Sequence, residues 1–138
     1  MICMGIDYGD KRTGIAVTDG LGHMAFGVAT LSEGGMRNTA LAAAKIASER
    51  KVEKIIVGLP KNMDGSEGES AKKIRAFADI LAEYTNAEIL FADERLSTAQ
   101  AHRYMNETDT RGKKRKAAID TLSAQIILQS YLDKNKNR

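Results

Sequence analysis

Hydrophobic residues in the first part of the chain occur in short runs separated by turn residues. The apolar run 2–6 ends in an Asp-Tyr-Gly-Asp segment at 7–10 and resumes over 13–18, a pattern that predicts a β-hairpin. A third strand is predicted over 24–30, after a turn rich in glycine at 19–22. The chain is therefore expected to begin with three neighbouring strands.

From Met36 onward the spacing of apolar residues becomes helical, because alanine, leucine and isoleucine recur about every 3.6 positions over 40–47. The next apolar run, 54–58, is short and continuous and stops before Pro60. Such a run is typical of a strand that is buried on both faces, as in a parallel sheet.

A second helix is predicted after the polar, glycine-containing loop 61–68. The S-x-x-E spacing of Ser66 and Glu69 predicts a capping box at its start. The helix then carries an apolar stripe formed by Ile74, Phe77, Leu81 and Tyr84. This stripe is expected to face the sheet.

The remaining elements repeat the alternation of strand and helix. A buried strand is predicted over 89–92, a helix capped by Ser97 and Gln100 runs to about Met105, and a long final helix covers about 114–133, with a frayed tail at 134–138. Strands that alternate with helices predict an α/β protein with a mixed five-stranded sheet and helices on both faces.

Length and composition agree with one soluble domain spanning residues 1–138. The chain has 138 residues, of which 43% are hydrophobic, and no run approaches the ~18 apolar residues of a membrane span. The N-terminus lacks the pattern of a secretion signal, and Cys3 is the single cysteine, so we expect a cytoplasmic protein. One cysteine and two histidines argue against a zinc cage.

The net charge of +3 is unevenly distributed along the chain. Residues 1–92 contain 11 basic and 12 acidic side chains, whereas residues 93–138 contain 10 basic and 6 acidic ones. Five basic residues cluster at Arg111, Lys113, Lys114, Arg115 and Lys116. This cluster either attracts the phosphates of a nucleic acid or only keeps a surface segment solvated.

Acidic residues occupy positions where a carboxylate is locally unfavourable. Asp7 ends one apolar strand, Asp93 and Glu94 end another, and Asp120 lies along the apolar stripe of the final helix. Each has a purely structural alternative, because Asp7 can accept hydrogen bonds from turn amides, Asp93 can cap the next helix, and Asp120 can pair with Lys116 one turn away.

Convergence of these carboxylates would require a cation. Oxygen ligands of this kind favour Mg²⁺ or Mn²⁺, which can activate water against a phosphate ester. Lys11 and Arg12 in the hairpin turn, and Lys61 and Asn62 after the strand 54–58, are candidates for contacts with phosphate or sugar. Because successive residues of a strand take opposite faces, at most one of Asp93 and Glu94 is expected to join Asp7.

Four sequence blocks extend this interpretation. They are Gly5-Ile6-Asp7-Tyr8-Gly9 with Gly14-Ile15-Ala16-Val17, Ile56-Val57-Gly58-Leu59-Pro60 with Asn62-Met63-Asp64-Gly65, Asp93-Glu94-Arg95-Leu96-Ser97-Thr98, and Lys116 with Ile119-Asp120 and 124–128. In this order they resemble the bacterial YqgF (RuvX) family of Holliday junction resolvase-like nucleases, which is implicated in processing the 5′ end of pre-16S rRNA.

The resemblance implies an RNase H-like fold, a cytoplasmic location and metal-dependent hydrolysis of phosphodiester bonds. It assigns the catalytic and metal-binding acids to Asp7, Glu94 and Asp120, and leaves Asp93 as a cap or supporting group. Resolvases of the wider superfamily carry a further acid after the strand that corresponds to 55–57, where this chain has Gly58. Whether one or two metal ions bind therefore stays open.

The predicted function is cleavage of structured nucleic acid, with pre-16S rRNA as the preferred substrate. The alternatives are a Holliday junction resolvase acting on DNA and a non-catalytic ribosome-assembly factor that binds nucleic acid. The predicted substrate-binding residues are Lys11, Arg12, Lys61, Asn62, Arg95, Lys113, Lys114, Arg115 and Lys116. We expect a monomer or homodimer with no membrane partner.

Overall fold

Five strands and three helices make up the regular structure of the described residues. The computed structural model describes residues 1–32, 34–61, 64–93 and 112–136, with side chains near the end of the chain described over 121–134. The strands are β1 (Cys3–Asp7), β2 (Thr13–Thr18), β3 (Ala25–Leu31), β4 (Lys54–Leu59) and β5 (Glu88–Asp93). The helices are α1 (Met36–Glu49), α2 (Glu69–Ala82) and α3 (Gly112–Lys136).

The strands form one sheet in the order β3-β2-β1-β4-β5. β1 runs antiparallel to β2 and parallel to β4, while β3 and β5 extend the sheet as antiparallel and parallel edge strands. The predicted mixed five-stranded sheet is therefore confirmed. β1 lies at its centre, and the carboxyl ends of β1, β4 and β5 share one edge, where ligands bind in open α/β sheets.

Side chains of β1 alternate between two hydrophobic cores. Met4 and Ile6 are fully buried in the core covered by α1 and α2. Cys3, on the other face, packs with Ala124 and Leu128 of α3. Helices therefore cover both faces, as predicted, because a strand that is apolar on both sides must be buried on both sides.

Two predictions for the region around α2 are wrong. Ser66 does not cap the helix, because Gly68 occupies the N-cap position without a side-chain cap. Instead, the backbone N–H and the hydroxyl of Ser66 donate to Asp64 Oδ1 at 2.9 and 2.6 Å, closing a turn in the loop. Tyr84 lies beyond the end of α2, and its side chain is 38% exposed instead of buried in the core. Its hydroxyl accepts a hydrogen bond from Arg37 of α1.

The final helix is longer than the sequence pattern indicates. α3 begins at Gly112 and extends to Lys136, so the predicted tail includes three helical residues. The predicted helix after Ser97 lies outside the described residues. No helix in the described parts of the chain is both long enough and apolar enough to cross a membrane.

Candidate active site

Asp7 is the last residue of β1, and its neighbours across the sheet are small. On one side Asp7 pairs with Gly14, which in turn pairs with Thr30. On the other side, the β1–β4 register continued by one residue brings Gly58 level with Asp7, and Gly58 pairs with Ala92. We call this line of residues the Asp7 row, in which the two positions adjoining the half-buried Asp7 are glycines.

The Asp7 row lies on the face of the sheet that α3 covers. Gly5, two residues before Asp7, points to the same face. A Cβ added to Gly5 would lie 2.7 Å from the carbonyl oxygen of Ala124 and 2.8 Å from Cβ of Leu128. Glycine at position 5 therefore allows α3 to approach β1 closely.

Hydrogen bonds fix the direction of α3 over the sheet. The hydroxyls of Thr30 and Thr121 lie 3.0 Å apart, and the backbone N–H of Ala25 donates to Gln129 Oε1 at 3.0 Å. The chain direction of α3 is therefore antiparallel to that of β3. Because Thr30 belongs to the Asp7 row, this row meets α3 at Thr121, next to Asp120.

The contact between Gly5 and Ala124 also places the backbone of Asp120 at the level of the Asp7 row. Two residues of β1 beyond Gly5 advance about 6.7 Å and end at Asp7. Four residues of α3 before Ala124 advance about 6 Å and end at Asp120. Since Gly5 and Ala124 are in contact, the two acidic positions lie at matching heights.

The helical repeat also places position 120 on a particular side of α3. Thr121 faces β3, and Ala124 faces β1. With 3.6 residues per turn, position 120 lies about 40° from Ala124 on the side away from Thr121. That side of the helix is directed toward β4, the parallel neighbour of β1.

Asp93 lies on the opposite face from the Asp7 row. It pairs with Leu59, which belongs to the core beneath α1 and α2. Phe91, two residues earlier on β5, has the guanidinium of Arg75 from α2 over its ring at 4.9 Å. The expectation that at most one acid of the pair joins Asp7 thus excludes Asp93, while Glu94 lies outside the described residues.

Cationic side chains occur in the turns at this edge of the sheet. Lys11 is exposed and Arg12 is half-buried in the β1–β2 turn, and Lys61 is half-buried at the start of the β4–α2 loop. The turn is closed by Thr13, whose hydroxyl lies 3.4 Å from both the N–H and the carbonyl oxygen of Gly9. These three cations lie close in sequence to strand ends that flank the Asp7 row.

Other predicted site residues are described only in part. Asn62, Glu94 and Arg95 lie outside the described residues, whereas Lys113, Lys114, Arg115, Lys116 and Asp120 lie in α3 without described side chains. Their predicted roles stay predictions.

A cluster that the sequence does not reveal ties the β4–α2 loop to β5. Arg75 donates from Nε and Nη2 to the two carboxylate oxygens of Glu67 at 2.8 Å each, while its guanidinium covers Phe91. The hydrogen bonds from Arg75, together with the charges of Arg75 and Lys61, lower the pKa of Glu67. No local pattern links these residues, because they lie on three separate segments. The cluster links Glu67, near the end of the β4–α2 loop, to Phe91 of β5 through Arg75.

The surroundings of Asp7 fit a hard divalent cation. Among the described residues, no three His, Cys, Asp or Glu side chains are grouped closely enough to hold a metal ion. Among the three acids that the resemblance assigns, Asp7 is the one whose side chain is described. Its oxygens are the ligand type that Mg²⁺ and Mn²⁺ prefer, and the glycines on both sides leave the adjacent positions of the sheet without side chains.

The fold defined by this sheet and its helices is the RNase H-like fold of Holliday junction resolvases. Thermus thermophilus RuvC in complex with a Holliday junction substrate matches with a TM-score of 0.57 at 14% identity, covering 99% of this chain and 96% of RuvC. Fowlpox virus resolvase, in complex with Holliday junction DNA, matches with a TM-score of 0.57 at 15% identity, covering 98% and 99% of the two chains.

The sequence defines the family. A model of the RuvX family, described as Holliday junction resolvase, matches residues 1–134, and the chain belongs to this family, as predicted. A Clostridium tetani protein is 42% identical over 138 residues, covering all of both chains. A Myxococcus xanthus protein is 43% identical over 136 residues, covering 99% of this chain and 90% of the relative. Both carry the name "Putative pre-16S rRNA nuclease".

Proposed function

We propose that this chain is a nuclease that hydrolyses phosphodiester bonds of structured nucleic acid, and that its substrate is the 5′ region of pre-16S rRNA. One observation carries the proposal: Asp7 lies between two glycines at the edge of the sheet, level with the backbone of Asp120 on the covering helix. The names of the relatives support the RNA substrate.

We assign Asp7, Glu94 and Asp120 to the binding of Mg²⁺ or Mn²⁺. A bound cation would polarise a phosphoryl oxygen and lower the pKa of an attacking water. Asp93 faces away from the Asp7 row, which favours Glu94 as the acid contributed by this segment. Gly58 supplies no ligand beside Asp7, so a second ion would need ligands from the substrate.

The chain's own residues orient the reaction. Pairing with Gly14 on β2 fixes the backbone of Asp7, and the flanking glycines admit a phosphate beside its carboxylate. In the hydrolysis, the attacking water gives up a proton as its oxygen forms a bond to phosphorus. The ester bond to the leaving oxygen breaks, and that oxygen takes up a proton, so that the two proton transfers balance.

Basic residues would hold the rest of the nucleic acid. We assign this role to Lys11, Arg12 and Lys61 at the strand ends, together with Asn62, Arg95 and the basic cluster Lys113–Lys116. Neutralising backbone phosphates releases counterions, so binding should weaken steeply as salt increases.

We further propose that residues 1–138 act as one nuclease domain in the cytoplasm. A monomer is sufficient to trim one RNA strand, whereas symmetric cleavage of a four-way junction requires a two-fold dimer. The resolvase alternative is supported by the fold and by the family description.

The proposal is tested by incubating the protein with a 5′ pre-16S rRNA fragment and, separately, with a four-way DNA junction, each with Mg²⁺ or Mn²⁺. Asp7→Asn should abolish cleavage. The control is Asp79→Asn, which makes the same substitution at an exposed site on α2 and should cleave like the unaltered protein.

Each outcome selects among the candidate functions. Cleavage that persists in Asp7→Asn contradicts the assignment of Asp7. Cleavage of the junction but not of the RNA favours the resolvase. Salt-sensitive binding without cleavage, weakened when Lys113–Lys116 are changed to glutamine, favours the ribosome-assembly factor.

A further inference from the structure

A cleft of about 210 Å³ lies between the β1–β2 turn and the first half of α2. It is lined by Tyr8, Gly9, Asp10, Ser70, Lys73 and Ile74. We call it the Tyr8 cleft. Tyr8 and Gly9 belong to the first motif block, but none of the six lining residues is assigned to the proposed catalytic site.

The Tyr8 cleft opens next to Asp7 but on the other face of the sheet. The ring of Tyr8 stacks on Phe77 of α2, with 4.4 Å between ring centroids, so Tyr8 faces α2. Asp7 lies on the α3 face of the sheet, because it is two residues from Gly5, which contacts Ala124. Their Cα atoms are about 3.8 Å apart, because the two residues are adjacent. A strand of nucleic acid that crosses this edge can therefore reach both places with neighbouring phosphates.

The groups in the cleft suit a phosphate. Lys73 Nζ lies 3.1 Å from Asp10 Oδ2, and the two side chains are 55% and 67% exposed. Such an exposed pair contributes little net stability, so a phosphate can take the place of Asp10 at low cost. Ser70 adds an exposed hydroxyl in the first turn of α2, where the helix dipole also favours an anion.

We propose that the Tyr8 cleft binds the substrate phosphate next to the scissile one, with Lys73 and Ser70 as its ligands and Asp10 as the partner that Lys73 releases. The proposal rests on the proposed function for the identity of the substrate. Asp10 thus competes with the phosphate for Lys73, which lowers the affinity for nucleic acid until the exchange takes place.

This competition predicts effects of opposite sign for the two members of one ion pair. Lys73→Gln should weaken binding about tenfold, the loss expected for a charged hydrogen bond. Asp10→Asn should tighten binding severalfold, because it removes the competing carboxylate. A salt bridge that served only to hold the turn on α2 would give the same effect for both variants.

The experiment measures the affinity of the full chain for a fluorescent 5′ pre-16S rRNA fragment, with a four-way DNA junction as a second probe. All variants carry Asp7→Asn, so that no cleavage occurs during the measurement. Lys72→Gln is the matched control, because Lys72 is the adjacent lysine and pairs with Glu69 at 3.5 Å outside the cleft. Thermal unfolding checks that each variant is folded.

The salt dependence provides a second readout. Lys73→Gln should reduce the slope of log affinity against log salt by about one phosphate contact, and Lys72→Gln should leave it unchanged. Equal effects of the two lysine variants, weaker binding by Asp10→Asn, or a lack of binding to both probes would overturn the proposal. If the variants bind as predicted but the unaltered protein cleaves neither probe, the proposed nuclease function is refuted and the phosphate site in the Tyr8 cleft is retained.

Discussion

The hydroxyl groups of Thr30 and Thr121 meet at 3.0 Å and join β3 to α3 in the row of the sheet that contains Asp7. Asp120 precedes Thr121 directly, so this contact sets the height of a proposed catalytic acid relative to the sheet. Gln129 adds a second attachment two turns further along, by accepting from the N–H of Ala25. α3 is thus attached to β3 at two points, one of them next to the proposed catalytic position 120.

We expect Thr121→Val to reduce the cleavage rate even under conditions where the variant is fully folded. Loss of the hydroxyl pair should lower the free energy of unfolding by about 1 kcal/mol and let the start of α3 shift against the Asp7 row. Thr121→Ser keeps the hydroxyl and should therefore retain the activity of the unaltered protein. Urea unfolding and the cleavage rate at saturating metal measure the two effects.

Thr39→Val is the control for this prediction. Thr39→Val also removes a threonine hydroxyl that makes a hydrogen bond. In α1, the hydroxyl of Thr39 donates to the carbonyl oxygen of Gly35 at 3.0 Å. Its stability should fall while its activity at saturating metal is retained. Equal activities of the two valine variants would show that the Thr30–Thr121 contact does not position Asp120.

We expect Gly5→Ala to destabilise the protein by about 1–3 kcal/mol, the usual cost of overpacking a core. The new methyl group would lie 2.7 Å from the carbonyl oxygen of Ala124, so α3 must move away from β1. Gly20→Ala is the matched control, because nothing lies within 4 Å of its added Cβ. Denaturant unfolding compares the two, and equal stabilities would contradict the close helix–strand approach.

We expect the stabilising effect of Glu67 to depend on pH. Hydrogen bonds from Arg75 lower the pKa of Glu67 below its ordinary value of 4.5. A carboxyl group with a lowered folded-state pKa stabilises the native state above the unfolded-state pKa and loses this effect as the pH falls through the folded-state pKa. Glu67→Gln should therefore be less stable than the unaltered protein at pH 7, and the gap should close under acid conditions.

Urea unfolding of both proteins between pH 7 and pH 3 measures this gap. Glu88→Gln on β5 provides a comparison, because Glu88 is 60% exposed and its partner Lys54 lies at 4.0 Å. That variant should change stability little at any pH. A gap for Glu67→Gln that is constant with pH would show that the Arg75 pair does not stabilise the loop.

We expect the thiol of Cys3 to react slowly while the protein is folded. Cys3 is 3% exposed, and burial raises the pKa of its thiol, so little thiolate is present at pH 8. A thiol reagent should label it at a rate that rises sharply near the urea midpoint of unfolding. Labelling in native buffer as fast as in urea would contradict its position beneath α3.

Short-range patterns were sufficient for most of the secondary structure. Alternating or continuous apolar runs predicted all five strands, because side-chain burial in a strand is set by positions two residues apart. The same patterns failed at Ser66 and Tyr84. There, contacts with Asp64 and with Arg37 of another helix replaced the predicted cap and the predicted core position.

By itself, the sequence determined the family, the order of strands and helices, and the presence of acids at strand ends, since these depend on neighbouring residues and on motif blocks. Only the tertiary structure decided that Gly14 and Gly58 flank Asp7, that Asp93 faces the other way, and that Lys73 meets Asp10. These relationships depend on strand register and helix packing between distant segments. Register and packing are fixed by the burial of both sheet faces together, which no local pattern encodes.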